Sequence, residues 1–251
     1  MKIPASIMLA AMTILGLSSR ADAVTAREII EASEGAVRGD TQVSVYAITV
    51  KARKWTRTME LKSWEVRSRK KSFAEIYAPA KDAGNRFLLI DQNMRHYVPE
   101  LQQDIKISPS MMLQAWMGSD FTNDDIVKES SITVDYDHEL DGTGTVDGHE
   151  CYRVVLTPRP EAAVVWGKIV YFARLSDYLP VRQEFYNEHG ALKKTLSYGN
   201  FAFMGGRTIP TWYKMQTSGR EDQYTVMEIR DALFNTPIPD YIFTIQNLTR
   251  R

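Results

Sequence analysis

The alternation of apolar and polar residues predicts that most of this chain is β-structure. From Gln42 onward the side chains alternate with a period of two, and further strands are predicted on both sides of the basic cluster at residues 67–71. Another hairpin is predicted around Gln92 and Asn93. After Ser131 the pattern predicts a run of about seven strands separated by turns such as Asp-Gly and Gly-Gly. Consecutive strands joined by tight turns indicate an antiparallel meander.

Two short helices and one edge strand are predicted outside these hairpins. Thr25 can cap a helix that runs to about Ala36, with apolar residues on one side. A short helical turn is expected at residues 123–129, capped by Thr122 or Asn123. The closing residues 237–248 predict a last edge strand, because the prolines before it discourage further strand pairing.

Residues 108–125 stand out because apolar side chains follow one another there without a strand period. Ser108 can cap a helix whose first residue is Pro109, and Gly118 can end it. Such a helix spans only about 10 Å, which is too short to cross a bilayer. Because it is apolar all round, it must hide both faces. Two interpretations are open: a flap over an apolar cavity, or a plug in the core of a β domain.

The predicted fold class is mainly β with a few helices, in which about eleven strands form a strongly curved antiparallel sheet or half-open β-barrel. The concave side of such a sheet must be filled by side chains, a plug or a ligand. Large apolar residues are predicted on one face: Trp64, Trp166, Phe172, Phe185, Trp212 and Met215.

Composition narrows the class of partner. The 251 residues include 31 basic and 31 acidic side chains, so no excess of charge favours nucleic acid, and nucleic acid is excluded as a partner. No repeat, phosphate-binding loop or low-complexity linker divides the chain. Residues 24–251 are therefore predicted to form a single domain.

Residues 1–23 have the pattern of a secretory signal peptide. Lys2 precedes an apolar run at residues 7–17, and the small residues Ala21 and Ala23 mark a cleavage site. The apolar run is too short for a stable membrane span. The mature protein is therefore expected to begin near residue 24 and to be exported to a bacterial periplasm.

The sequence carries no recognised motif for catalysis or metal binding. The sequence contains neither GxSxG nor HExxH. Residues 137–142 imitate the start of a calcium loop, but Gly148 stands where a bidentate glutamate is needed. Cys151, the single cysteine, lies in a strand pattern and is expected to be a buried, inert thiol. Solvated positions near turns or strand ends are expected for the four histidines, which are His96, His138, His149 and His189.

The order of these parts resembles the outer-membrane lipoprotein-sorting protein family, relatives of the LolA and LolB carriers. The most specific segments are WMGSDF at residues 116–121 and LPVRQEFYNEHG at residues 179–190, and the similarity extends over nearly the whole mature chain. The resemblance implies an open half-barrel whose hydrophobic concavity is covered by helices and receives acyl chains. LolA itself accepts lipoproteins from an inner-membrane transporter and passes them to an acceptor at the outer membrane.

The predicted function is that of a periplasmic carrier, with no enzyme activity, cofactor, catalytic residue or metal. Its partners would be lipoprotein acyl chains or other lipids, an inner-membrane transporter and an outer-membrane acceptor. A periplasmic sensor or accessory interaction module of the same fold is the alternative. Flap side chains are expected to fill the cavity when cargo leaves: Met111, Met112, Trp116, Met117 and Phe121. Further candidates for its wall are Trp64, Tyr97, Trp166 and Trp212.

Overall fold

The fold is built on one antiparallel sheet of 13 strands that does not close on itself. The computed structural model describes residues 24–128, 132–162 and 164–250. The predicted signal peptide at residues 1–23 lies outside the described residues. Within them no helix is long and apolar enough to cross a membrane.

The sheet is arranged about a central pair formed by the first and last strands in the chain. From one edge to the other its order is β6-β5-β4-β3-β2-β1-β13-β12-β11-β10-β9-β8-β7. The strands are β1 (Thr41–Lys51), β2 (Thr56–Val66), β3 (Lys71–Ala78), β4 (Arg86–Ile90), β5 (Asn93–Val98), β6 (Gln103–Lys106), β7 (Tyr136–Val146), β8 (His149–Pro158), β9 (Lys168–Arg174), β10 (Pro180–Tyr186), β11 (Leu192–Met204), β12 (Arg207–Thr217) and β13 (Tyr224–Phe234).

The predicted meander is confirmed, and so are the hairpins in the first half of the chain. β1 pairs with β13 from Gln42 opposite Phe234 to Lys51 opposite Tyr224, which joins the two halves into one sheet. The short strand β6 was not predicted. It contributes one more strand at the edge, where its four residues pair with β5.

Three α-helices are described: α1 (Ala26–Val37), α2 (Asn123–Lys128) and α3 (Ile245–Leu248). The predicted cap of α1 is confirmed, because Thr25 Oγ1 accepts a hydrogen bond from Glu28 N at 3.2 Å and the Glu28 carboxylate accepts one from Thr25 N. Thr122 caps α2 in the same way: its Oγ1 accepts from Asp125 N at 3.0 Å. Ile29 and Ile30 of α1 are fully buried against the sheet.

The prediction of a last edge strand at residues 237–248 is wrong. A 3₁₀ turn (Asp240–Phe243) and α3 occupy this position, and Thr244 caps α3 by accepting a hydrogen bond from Asn247 N. The reason lies in the spacing of the buried side chains. Phe243 and Leu248 are five residues apart and would point to opposite sides of a strand, whereas the helical path buries both.

Part of the sheet is therefore covered on both faces. On the concave face, Met59, Leu61 and Phe87 pack in one core cluster with residues of the loop between β6 and α2. On the convex face, Val66 and Phe73 pack beneath the C-terminal segment. α1 covers the other half of the same concave face, where it packs against β9 and β12.

This arrangement corrects the expectation that the large apolar residues share one face. Trp166, Phe185 and Met215 do pack in the concave cluster under α1. Phe172 faces away, because its neighbours on both sides along β9 belong to that cluster. Alternation shows which residues of a strand share a face, but it does not show which face is concave.

Candidate functional site

The flap, residues 108–121, is an irregular loop on the concave face. The prediction of a single helix there is wrong, because two 3₁₀ turns (Pro109–Met111 and Trp116–Gly118) replace it. Met117 has a left-handed backbone conformation with a φ of 50°. Backbone groups that a helix would use pair across the loop instead. Trp116 N donates to Phe121 O at 2.8 Å, and Asn123 N donates to Gln114 O at 3.1 Å.

This irregular path sorts the apolar side chains of the flap. Trp116 is 7% exposed, and its ring lies 5.3 Å from that of Phe87 on β4. Met112 and Met117 pack partly buried against the same cluster. Leu113, between them, is 63% exposed. A regular helix that is apolar on every side would have to be buried on every side. This loop instead packs only one side against the sheet.

The remaining predicted flap residues lie in less central positions. Phe121 packs against the cluster under α1 and is partly buried. Met111 is also partly buried, and its carbonyl accepts a hydrogen bond from Asn123 Nδ2 at 2.9 Å. The flap therefore extends across two concave clusters, the one beside β2 to β5 and the one under α1.

The indole nitrogen of Trp116 is unusual. It is buried and has no hydrogen-bond partner among the described residues. An unpaired buried donor of this kind costs about 1–3 kcal/mol, so the closed position of the flap is less stable than its apolar packing alone would make it.

Arg57, on β2, holds the middle of the flap. Its guanidinium donates to the backbone carbonyl of Met117 and pairs with Asp82, with Nη1 3.2 Å from Oδ1. Sequence reasoning missed this residue, because it lies in an ordinary alternating strand. The contact crosses from β2 to the flap, and no local pattern signals it.

Lys194, on β11, holds the end of the flap. Its ammonium donates to Asp120 O at 2.7 Å and to Asp125 Oδ2 at 2.8 Å, and both side chains of the ion pair are 11% exposed. The Asp120 carboxylate accepts from Thr225 Oγ1 at 2.8 Å and from Thr217 Oγ1 at 3.1 Å. The attachments of the flap to the sheet thus include two cationic side chains and a small set of hydroxyl groups.

Of the four predicted wall residues, only Trp166 lies on the concave side, 5.3 Å from the ring of Phe185. Trp64 and Tyr97 pack on the convex face under the C-terminal segment. Each follows a residue of the concave cluster, Leu61 or Met94, by three positions and so has the opposite orientation.

The last predicted wall residue, Trp212, lies three positions before the core residue Met215 in an uninterrupted register with β11. It therefore faces the convex side, where its ring covers Gly199.

A convex cleft of about 320 Å³ is lined by Trp64, Phe73, Tyr241, Ile242, Asn247 and Arg250.

Two titratable side chains that the sequence analysis singled out, His96 and Cys151, are buried in the structure. His96 is not the solvated residue that was expected: it stacks on Phe87 at 4.2 Å, its Nε2 lies 2.8 Å from Asn85 Oδ1, and burial lowers its pKa to about 4. Cys151 is fully buried, which confirms its predicted position, and burial raises the pKa of its thiol to about 11. Within the described ranges no cluster of three potential ligands could hold a metal ion.

Solved structures of the LolA superfamily and of lipoprotein-sorting domains share the fold of this open antiparallel sheet. A LolA superfamily protein from Nitrosomonas europaea is 25% identical to this chain, with a TM-score of 0.74 over 90% of this chain and 100% of that one. A domain from Vibrio parahaemolyticus named for outer membrane lipoprotein sorting is 22% identical, with a TM-score of 0.76 over 90% and 98%. A DUF1329 family protein from Desulfovibrio piger is 21% identical, with a TM-score of 0.80 over 89% and 97%.

The family model described as "uncharacterized protein" matches residues 68–250, and this chain belongs to that family. No match was found among curated proteins. The predicted resemblance to lipoprotein-sorting proteins is confirmed by these similarities, and they support the same general kind of function.

Proposed function

We propose that this protein is a carrier that shelters the acyl chains of lipoproteins or other lipids against its concave face and passes them towards the outer membrane. The observation that supports the proposal is the flap. Met112, Trp116 and Met117 cover apolar side chains of the sheet, while a few polar contacts fasten the flap. The names of two similar structures, a LolA superfamily protein and a lipoprotein-sorting domain, point to the same class.

The proposed mechanism is an exchange of apolar contacts in which no covalent bond is made or broken. An acyl chain gains about 0.8 kcal/mol for each methylene removed from water. To enter, it displaces flap side chains that each gain about 1.5–3 kcal/mol from burial. Because the flap takes back the same space, its return offsets part of the holding energy and allows the cargo to leave.

The proposal includes a location and partners. We expect residues 1–23 to direct export to the periplasm as a cleaved signal peptide and residues 24–251 to act as one carrier domain. An inner-membrane transporter would then be the donor and an outer-membrane protein the acceptor. A sensor or accessory module of the same fold would use the concave face for a protein partner instead.

The test is binding of lysophosphatidylcholines that differ only in acyl chain length, measured below their critical micelle concentrations by displacement of a fluorescent acyl probe. We expect affinity to rise about fourfold with each added methylene until the concave site is full. The matched control is the same series with the protein unfolded in denaturant, which should show no such dependence.

Two results would contradict the carrier. Affinity that does not depend on chain length would mean that the tail is not buried. If no lysophosphatidylcholine or acyl probe binds, the proposal fails altogether, and the sensor or accessory module becomes the better account of this fold.

A further inference from the structure

The indole N–H of Trp116 has no role in the closed protein. The ring packs among apolar side chains, including Ile48, Met59 and Ile76, and a phenylalanine would make the same kind of contact. Buried tryptophans usually place their N–H against an acceptor, but here the described residues supply none. Packing therefore leaves this donor available to an acceptor that a ligand would bring.

The indole N–H can only donate, so its complement is an oxygen acceptor. The charges nearby narrow the choice. Arg57 holds the carbonyl of Met117, the residue after Trp116, and Asp82 already balances the charge of Arg57. Arg57 is the cation that the described residues place at Met117, and because its charge is balanced it does not favour a carboxylate or a phosphate. A neutral carbonyl fits this part of the flap better than an anion.

Trp116 lies between an apolar and a polar part of the flap region. Its ring faces the apolar cluster, while the backbone one residue further on is bound by the polar Arg57. When a hydrocarbon tail takes the place of the ring, the ester or amide carbonyl beside its first methylene arrives at this boundary. The carbonyl is partly withdrawn from water there and can accept a hydrogen bond from the free indole N–H.

We propose that the Trp116 indole N–H donates a hydrogen bond to the neutral carbonyl, an ester or an amide, through which the acyl chain of the cargo is joined to its head. This inference rests on the proposed carrier function and adds a polar selectivity to it. It separates acylated molecules from lipids whose chains are joined by ether bonds or carry no oxygen.

The experiment compares a lysophosphatidylcholine whose chain is ester-linked with its ether-linked analogue of the same length. Wild-type protein is expected to bind the ester about threefold to tenfold more tightly, the value of one neutral hydrogen bond. In Trp116→Phe the ester should lose that advantage, so that the ratio of ester affinity to ether affinity falls to about one. Trp212→Phe, at a tryptophan on the convex face, is the matched control and should keep the preference.

A second measurement does not depend on a variant that folds. The ¹⁵N–¹H resonance of the Trp116 indole should move downfield when the ester binds and much less when the ether binds. Equal affinities of wild type for the two probes, or an indole resonance that responds equally to both, would overturn the inference while leaving the carrier in place. If neither probe binds, the carrier itself fails.

Discussion

Arg57 is the side chain whose removal should open the flap most directly. It joins β2 to the Met117 carbonyl, and a hydrogen bond from a charged donor contributes about 1.5–3 kcal/mol. In Arg57→Gln the closed position loses this contact, so less free energy is needed to admit a tail. We expect affinity for an ester-linked lysophosphatidylcholine to rise about tenfold and the melting temperature to fall, measured by probe displacement and calorimetry.

The control for this change is Arg230→Gln. Arg230 pairs with Glu228 on the surface of β13, and its side chain is 60% exposed. Its loss should leave affinity and melting temperature nearly unchanged. Unchanged or weaker binding by Arg57→Gln would contradict the role given to this contact.

His96 should make stability depend on pH in the acidic range. Burial lowers its pKa to about 4 in the folded protein, against 6.5 without perturbation, so the unfolded chain binds the proton more readily between these values. The free energy of unfolding should therefore fall as the pH drops from about 6.5 to about 4. His96→Gln should reduce this slope, measured by urea titration at several pH values.

The exposed His189 provides the comparison at the same scale. His189→Gln should keep the wild-type slope. If His96→Gln and wild type lose stability in parallel, His96 is not held neutral by the fold.

At the scale of elements, the C-terminal segment should stabilise the protein without taking part in binding. Phe243 is buried on the convex face with Phe73 and Leu88. Phe243→Ala should lower the free energy of unfolding by about 3–5 kcal/mol, measured by denaturant titration. Affinity for an ester-linked lysophosphatidylcholine should not change in the protein that stays folded, because the flap lies on the other face.

Tyr241→Ala is the matched variant for this element, because that ring is 63% exposed in the same segment. It should cost much less stability. A loss of lipid affinity in Phe243→Ala under folding conditions would show that the two faces are coupled and would contradict this division.

The sequence predicted regular elements well and irregular ones poorly. A period of two with turn residues between strands was enough for the meander, and Thr25 with Glu28 was enough for the start of α1. The flap and the C-terminal segment differ because their backbones are fixed by distant partners. Arg57 and Lys194 act on the flap from strands far away in the chain, and such contacts leave no local pattern.

The site was predictable only in part for the same reason. Trp116 and its neighbouring methionines could be chosen because a run of apolar residues outside a strand must be hidden. Trp64 and Tyr97 were assigned to the wrong side, because their strands are buried on both faces and apolar character no longer distinguishes the concave one.

At the scale of the whole molecule, the proposed carrier would work through competition between the flap and an acyl tail for the concave face. Because the half-barrel is open, the sheet alone does not cover its two concave core clusters. The flap lies across both of them. The proposal therefore predicts that a bound tail moves the flap relative to the sheet.

Double electron–electron resonance, which measures the distance between two spin labels, tests this movement most directly. One label is placed at Leu113→Cys, on the exposed side of the flap, and the other at Lys193→Cys, an exposed position of β11; the buried Cys151 should stay unlabelled. We predict that a saturating ester-linked lysophosphatidylcholine shifts the distance distribution, and that Arg57→Gln shifts it in the same direction without lipid. A distribution that stays the same while the lipid is bound would contradict the account.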